Sequence, residues 1–177
     1  PPLPIRFLMI ARLLREKGVK EYCIAAKEVT ETHPEATFLL AGPEDQSADG
    51  VSANDVAQWG GGRVHYLGEV SNVAALLRDC HIFVLPSYHE GRPRTVQEAL
   101  AVGRPVVTTD APGCRDAIEN GETGYIVCAK NSGNLAIRLR SLIESPDLWL
   151  DMPPKCRLYA QRKYDAVAIS DLVANRI

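Results

Sequence analysis

The 177-residue chain has the length of one globular domain, and its composition, 46% hydrophobic and 24% charged, is ordinary for such a domain. A formal net charge of -2 argues against a nucleic-acid-binding field or a polybasic membrane anchor, and apolar runs such as HIFVLP are too short to cross a bilayer. Five cysteines without a C-x-x-C pair favour reduced thiols in a cytosolic protein over a disulfide framework or a zinc site.

The opening PPLPIRFLMI has no initiator Met and leads through prolines into an apolar run. Proline-rich segments often act as linkers, so this opening indicates a piece of a longer protein. Processing of a short leader is the alternative explanation.

The first half of the chain alternates short apolar runs with helical patterns. IRFLMIA (5–11), ATFLLAG (36–42) and VHYLGEV (64–70) are typical of strands that are buried on both faces. Apolar residues at helical spacing predict a helix that begins near Val19 and ends before Pro34. The polar, glycine-rich stretch 43–63 predicts a surface Ω-like loop without an assigned role.

The second half repeats this alternation. Three further strands are predicted: HIFVLPS (81–87), RPVVTTD (104–110) and GYIV (124–127). Helices are predicted over residues 72–80, 94–102 and 132–145, and from Pro146 onward.

This order of elements predicts an α/β fold, a doubly wound, mostly parallel six-stranded sheet with helices on both faces. In such sheets ligands bind beyond the carboxyl ends of the strands. The loops that follow residues 11, 42, 68, 86 and 109 are therefore the places to look for a site.

The first of these loops carries two cations. Arg12 follows the first strand and Lys17 comes five residues later, but neither a Walker A loop nor G-x-G-x-x-G is present. A guanidinium fork and an ammonium group together can neutralise a diphosphate. The alternative is that both side chains are solvated surface charges, which is the commonest situation for Arg and Lys.

The loop after the fourth strand leads into a helix. In PSYHEGRPRTVQEALAVGRPVVTTDAPGC, Pro93 fixes the backbone near the helix start and places Thr95 in the first turn. The unpaired N–H groups of that turn and the positive end of the helix dipole form an anion site. Gly91 allows a ligand to approach the backbone closely.

Two acids flank this turn. Glu90 precedes it, and Glu98 lies about one helical turn inside the helix. Carboxylates accept hydrogen bonds from sugar hydroxyls, so the pair suggests a phosphate between two polyhydroxy groups, as in a nucleotide sugar. The alternative is a turn residue and a solvated helix residue.

These motifs resemble a known family. The cations lie in RLLREKG, and the acids form an E-x₇-E motif inside the frame P-S-x-x-E-G-x-P-x-x-x-x-E-A, which TDAPGC follows. From about Ile5 through the tail, the chain resembles the carboxyl-terminal domain of a retaining GT-B glycosyltransferase of group 1 type. It is most similar to the enzymes that build bacterial polysaccharides or lipid-linked oligosaccharides. The fold implied is the Rossmann-like half of a GT-B fold.

The resemblance also implies roles for individual residues. Arg12 and Lys17 hold the diphosphate and, with Glu90 facing the transferred sugar, form the catalytic set. Glu98 binds the ribose hydroxyls. The remaining donor-binding residues are Gly91, Arg92, Pro93, Thr95 and Val96, through their backbone, and Gly42, Leu67 and Val70 at the ends of the second and third strands.

For the whole protein, the resemblance implies transfer of a hexose or N-acetylhexosamine from a nucleoside diphosphate sugar, UDP above all, to a lipid-linked or polysaccharide acceptor. Residues 1–177 form one nucleotide-sugar-binding domain with a helical tail, and the acceptor-binding amino-terminal domain lies outside the chain. No cofactor is expected, and no metal either, since the cations replace it and no Asp-x-Asp motif is present. The expected location is cytoplasmic, either free or at the inner face of the membrane.

Two other functions remain open. A nucleotide-sugar epimerase or a phosphorylase-like protein shares this architecture, although the E-x₇-E frame favours transfer. A non-catalytic nucleotide-binding or receiver-type module is the other. A receiver-type module would require an acidic cluster after the first strand and a phosphorylatable Asp after the third. This sequence has Arg12 and Gly68 at those positions.

Overall fold

The computed structural model describes residues 3–164. Its strands are β1 (Arg6–Ile10), β2 (Thr37–Ala41), β3 (Val64–Tyr66), β4 (Ile82–Leu85), β5 (Val106–Thr109) and β6 (Gly124–Val127). They form one sheet in the order β3-β2-β1-β4-β5-β6, with every neighbouring pair parallel. The doubly wound six-stranded sheet is therefore confirmed, and its order reverses between β1 and β4.

Helices cover both faces of the sheet, as predicted. They are α1 (Val19–Thr32), α2 (Ala53–Gly60), α3 (Val73–Asp79), α4 (Arg94–Ala101), α5 (Ser132–Glu144) and α6 (Met152–Lys163). One layer has α1 between α2 and α5, and the other has α4 against α3 and α6. Because both faces are covered, the central strands carry unbroken apolar runs rather than alternating ones.

The first helix is fixed to the sheet by a buried tyrosine. The hydroxyl of Tyr22 donates to the carbonyl oxygens of Phe7 and Leu39 at 3.2 and 2.9 Å. The rings of Phe7 and Phe38 stack beneath it, with centroids 4.9 Å apart. This packing fixes β1, and so the start of the loop that carries Arg12.

The prediction of an Ω-like loop over 43–63 is wrong for its second half, where α2 lies. Ser52 and Asp55 form a reciprocal capping box at the start of α2, and Gly61 ends the helix in a left-handed conformation. The glycine triplet at 60–62 obscured this start signal. The third strand is also shorter than predicted and ends at Tyr66.

The tail is helical as far as the structure describes it. A 3₁₀ turn over Pro146–Leu148 precedes α6, whose first turn contains Pro153 and Pro154. Prolines are tolerated there because first-turn N–H groups have no partner within the helix. The rest of the predicted tail, residues 165–177, lies outside the described residues.

Candidate functional site

The two loops that leave the sheet at its reversal point are packed against each other. A Cβ on Gly18 would lie 2.0 Å from the carbonyl oxygen of Pro86, so only glycine fits at this contact. The N–H of Tyr88 and the hydroxyl of Ser87 both donate to the carbonyl oxygen of Glu16, at 2.8 and 3.1 Å. The loops after β1 and β4 therefore lie together at the edge of the sheet where doubly wound folds have their ligand crevice.

An ion pair crosses between these loops. Lys17 Nζ lies 3.0 Å from Glu90 Oε1, and the two side chains are only 18% and 12% exposed. Glu16 Oε1 lies 3.7 Å from the same ammonium group but is largely exposed. The structure thus brings together two of the three residues predicted to be catalytic.

The loop after β5 holds Glu90 from the other side. The N–H of Glu90 donates to the carbonyl oxygen of Pro112 at 3.1 Å. A Cβ on Gly113, whose φ is 77°, would lie 1.7 Å from the carbonyl oxygen of Glu90. Thr109 Oγ1 donates to the carbonyl oxygen of Ser87 at 2.5 Å. Sequence reasoning assigned no role to Thr109 and Gly113, although TDAPGC was part of the resemblance.

The third predicted cation, Arg12, lies at the solvent-facing rim. Its side chain is 62% exposed, and Nη1 lies 3.2 Å from Asp45 Oδ2. Hydrogen bonds from Ser47, followed in size by the attraction of Arg12, hold the pKa of Asp45 below its ordinary value. Arg12 therefore has a fixed carboxylate partner while most of its guanidinium faces water.

The amino terminus of α4 opens at the same edge of the sheet. Pro93 precedes the helix, and the N–H groups of Val96 and Gln97 donate to its carbonyl oxygen at 3.1 and 3.2 Å. The amides of Arg94 and Thr95 come before these first donors, so they belong to the unpaired set at a helix start. Together with the helix dipole they favour an anion.

The side chains around this helix start differ in exposure. Gly91 and Arg92 are exposed, and apart from the two chain neighbours of Gly91, no atom of residues 3–164 lies within 4 Å of the position of its Cβ. Val96 is buried in the core and its amide is already bonded, so it contributes packing. Glu98 is buried, with 9% of its surface exposed, one turn further along α4.

The predicted donor-binding residues Gly42, Leu67 and Val70 lie just beyond the ends of β2 and β3. The N–H of Gly42 donates to the carbonyl oxygen of Gly68, and its carbonyl oxygen accepts from the hydroxyl of Tyr66, both at 2.8 Å. Leu67 is exposed and Val70 is half-buried. The residues share one edge of the sheet, and the two backbone groups of Gly42 bond to the last residue of β3 and to the loop that follows it.

Residues 3–164 contain neither a metal-binding cluster nor a membrane-spanning helix. Within that range, no group of three or more His, Cys, Asp or Glu side chains is arranged to hold a metal ion. None of the helices in the same range is long and apolar enough to cross a membrane.

The fold and the crevice together define a domain of the GT-B glycosyltransferase class. Residues 3–163 match the family model of group 1 glycosyl transferases, and the chain belongs to that family.

Named relatives share the same region. The N,N'-diacetylbacillosaminyl-diphospho-undecaprenol alpha-1,3-N-acetylgalactosaminyltransferase of Campylobacter jejuni is 41% identical over 145 residues, which cover 82% of this chain and 37% of the relative. The lipopolysaccharide core biosynthesis mannosyltransferase LpcC of Rhizobium leguminosarum is 32% identical, over 82% of this chain and 43% of its own length. The chain thus spans less than half of these relatives.

Solved structures share the fold. The carboxyl-terminal domain of the group 1 protein LpcC from Francisella tularensis superposes with a TM-score of 0.78 at 23% identity, covering 93% of this chain and 88% of that one. Anabaena HepE, solved in complex with UDP and glucose, superposes with a TM-score of 0.81 at 22% identity, over 97% of this chain and 47% of HepE.

Proposed function

We propose that this chain is the donor-binding domain of a retaining glycosyltransferase that transfers a hexose or N-acetylhexosamine from a nucleoside diphosphate sugar. The proposal rests on one observation. The loop that carries Arg12 and Lys17, the amino terminus of α4 and Glu90 all lie at the edge of the sheet where the strand order reverses. Two cations and a helix start suit a diphosphate, and carboxylates suit sugar hydroxyls.

The donor proposed is a UDP-sugar, and the acceptor is a lipid-linked or polysaccharide glycan. The names of the relatives support this, since one acts on a diphospho-undecaprenol glycan and another on a lipopolysaccharide core. Similar solved structures in complex with UDP or UDP-glucose support the choice of a uridine nucleotide. The acceptor-binding groups would lie in a further domain, because the chain spans only part of its relatives. An inner-face, peripheral location would suit such an acceptor.

The proposed mechanism depends on charge that develops on the leaving diphosphate. As the glycosidic C–O bond breaks, negative charge grows on the β-phosphate, where Lys17, Arg12 and the first turn of α4 would stabilise it. Fixed donors of this kind stabilise the transition state more than the ground state. Loss of one would lower the rate by on the order of 10²-fold. Glu90 would face the sugar, Glu98 the ribose, and no metal would be required.

The direct test is titration of UDP into the 177-residue chain, followed by calorimetry or by NMR chemical shifts. We expect saturable, weak binding that uridine, which has no phosphate, does not reproduce. Arg12→Gln should weaken UDP binding, whereas Arg78→Gln should leave it within about twofold, because Arg78 is an exposed cation at the end of α3, at the opposite edge of the sheet. A folded chain that shows no response to millimolar UDP would overturn the proposal.

A further inference from the structure

The first half of the polar stretch, residues 43–51, lies along the loop that carries Arg12. The N–H of Leu13 donates to the carbonyl oxygen of Pro43 at 2.9 Å, and that of Val51 donates to the carbonyl oxygen of Leu13 at 2.8 Å. The N–H of Arg15 donates to the carbonyl oxygen of Asp49 at 3.0 Å. These bonds fix the backbone of the loop after β1, in addition to its contacts with the loop after β4.

Within this segment, Asp45 is held at both of its oxygens. Oδ1 accepts the N–H of Ser47 at 2.9 Å, which closes a local turn, and Oδ2 accepts from Arg12 Nη1 at 3.2 Å. Its side chain is 20% exposed, against 62% for Arg12. Asp45 thus holds one donor of the guanidinium, while most of the Arg12 side chain is exposed.

We propose that Asp45 is a positioning residue that holds the Arg12 guanidinium at the crevice for the donor diphosphate, an inference that rests on the proposed function. A free arginine side chain loses rotamer entropy when it binds a phosphate, and fixing it beforehand reduces that loss. Asp45 also repels the diphosphate. Salt screens this repulsion, which acts across the Arg12 guanidinium, more strongly than it screens the direct contact of Arg12 with Asp45 at 3.2 Å, so we expect the positioning effect to dominate.

The variant that isolates this role is Asp45→Asn. An asparagine keeps an oxygen that accepts the Ser47 N–H, so the turn is retained, but it removes the anionic acceptor of Arg12. Asp45→Ser is a second variant that keeps a weaker form of the turn. Glu44→Gln is the matched control, because it removes a neighbouring exposed charge, and no hydrogen bond within residues 3–164 involves its side chain.

The measurement is UDP affinity at 0.15 M salt for the wild type, the single variants and the Asp45→Asn/Arg12→Gln double variant. We expect Asp45→Asn to weaken UDP binding roughly three- to tenfold and Glu44→Gln to leave it unchanged or slightly tighter. In the Arg12→Gln background, Asp45→Asn should cause no further loss, because the positioning effect acts only through Arg12; the loss of its repulsion should leave the affinity equal or slightly tighter.

The outcomes separate this inference from the function on which it rests. If wild type fails to bind UDP, the function and the inference both fail. If wild type binds and Asp45→Asn binds equally well or more tightly, the inference alone is overturned. An equal loss in the Arg12→Gln background would also overturn it, because Asp45 would then act through the fold.

Discussion

Lys17 Nζ lies 3.0 Å from Glu90 Oε1, joining two loops whose residues are 73 positions apart in the chain. The cation assigned to the diphosphate and the acid assigned to the sugar therefore neutralise each other. Under the proposed roles, donor binding would have to share or redirect Lys17, and Glu90 would then restrain that cation as well as contact the sugar.

This pairing predicts an unusual result for Glu90→Gln. The amide oxygen still accepts from Lys17, but the negative charge is lost, so UDP without a sugar should bind roughly two- to fivefold more tightly. Discrimination among UDP-sugars should fall. Calorimetric titration with UDP and with UDP-sugars measures both effects. The control is Glu16→Gln, an exposed acid near the same ammonium group, which should change UDP affinity by less than about twofold. Weaker UDP binding by Glu90→Gln would contradict the restraint.

The proposed role of Glu98 predicts a loss of ribose recognition. Glu98→Gln should weaken UDP binding by roughly tenfold, since hydrogen bonds to a charged acceptor contribute about 1.5–3 kcal/mol. Binding of 2′-deoxy-UDP should change much less. Competition NMR with the two nucleotides measures the ratio of their affinities. Glu90→Gln serves as the comparison and should retain the preference for ribose; equal losses for both nucleotides in Glu98→Gln would refute this assignment.

The contact between the loops after β1 and β4 predicts that replacing Gly18 destabilises the fold far more than replacing Gly62, a glycine with a similar backbone conformation and no close neighbour within residues 3–164. Gly18 and Gly62 have φ values of 75° and 74°, but only Gly18 faces a backbone oxygen, that of Pro86. Gly62→Ala should cost about 1 kcal/mol for its left-handed backbone, whereas Gly18→Ala should cost about 3 kcal/mol or more. Urea unfolding followed by circular dichroism measures both, and similar costs would show that the loops separate easily.

The thiols should divide into one reactive group and four protected ones. Cys128 is exposed, while the side chains of Cys23, Cys80, Cys114 and Cys156 are buried. Burial also raises the pKa of Cys23, which lowers its thiolate fraction further. A thiol reagent at pH 8 should therefore titrate one equivalent rapidly in the native chain and the full set after denaturation. Cys128→Ser should remove the rapid phase, and a rapid phase that persists would mean that the core opens readily.

Stability should fall at alkaline pH. Burial raises the pKa of Cys23, Cys80 and Cys156 from 9.0 to about 12. A group whose pKa is raised by folding contributes fully below its unfolded value, and the contribution is lost as the pH rises through the folded value. The free energy of unfolding should therefore decline between pH 9 and 12. Urea titrations across this range measure the slope, which should be smaller for Cys156→Ala than for the wild type; a flat profile would contradict the burial of these thiols.

Much of the fold was predictable because local sequence patterns indicate the individual strands and helices. Unbroken apolar runs marked the strands, and the N-terminal turn of α4 was predictable from Pro93. The helix α2 was missed because its start signal, Ser52 with Asp55, lies inside a stretch rich in glycine and polar residues. The low helix propensity of glycine and polar residues predicts a loop in such a stretch, whereas the capping box and the packing against α1 stabilise the helix.

By itself, the sequence determined the doubly wound class, the family and which residues lie at the carboxyl edge of the sheet. These follow from the periodicity of apolar residues and from motifs within single loops. Only the tertiary structure decided which charges meet. Lys17 pairs with Glu90, and Arg12 pairs with Asp45. Each pair joins loops that follow different strands, and the order of those strands in the sheet sets the distance between their charges. No local pattern records that order, since it results from the packing of the whole core.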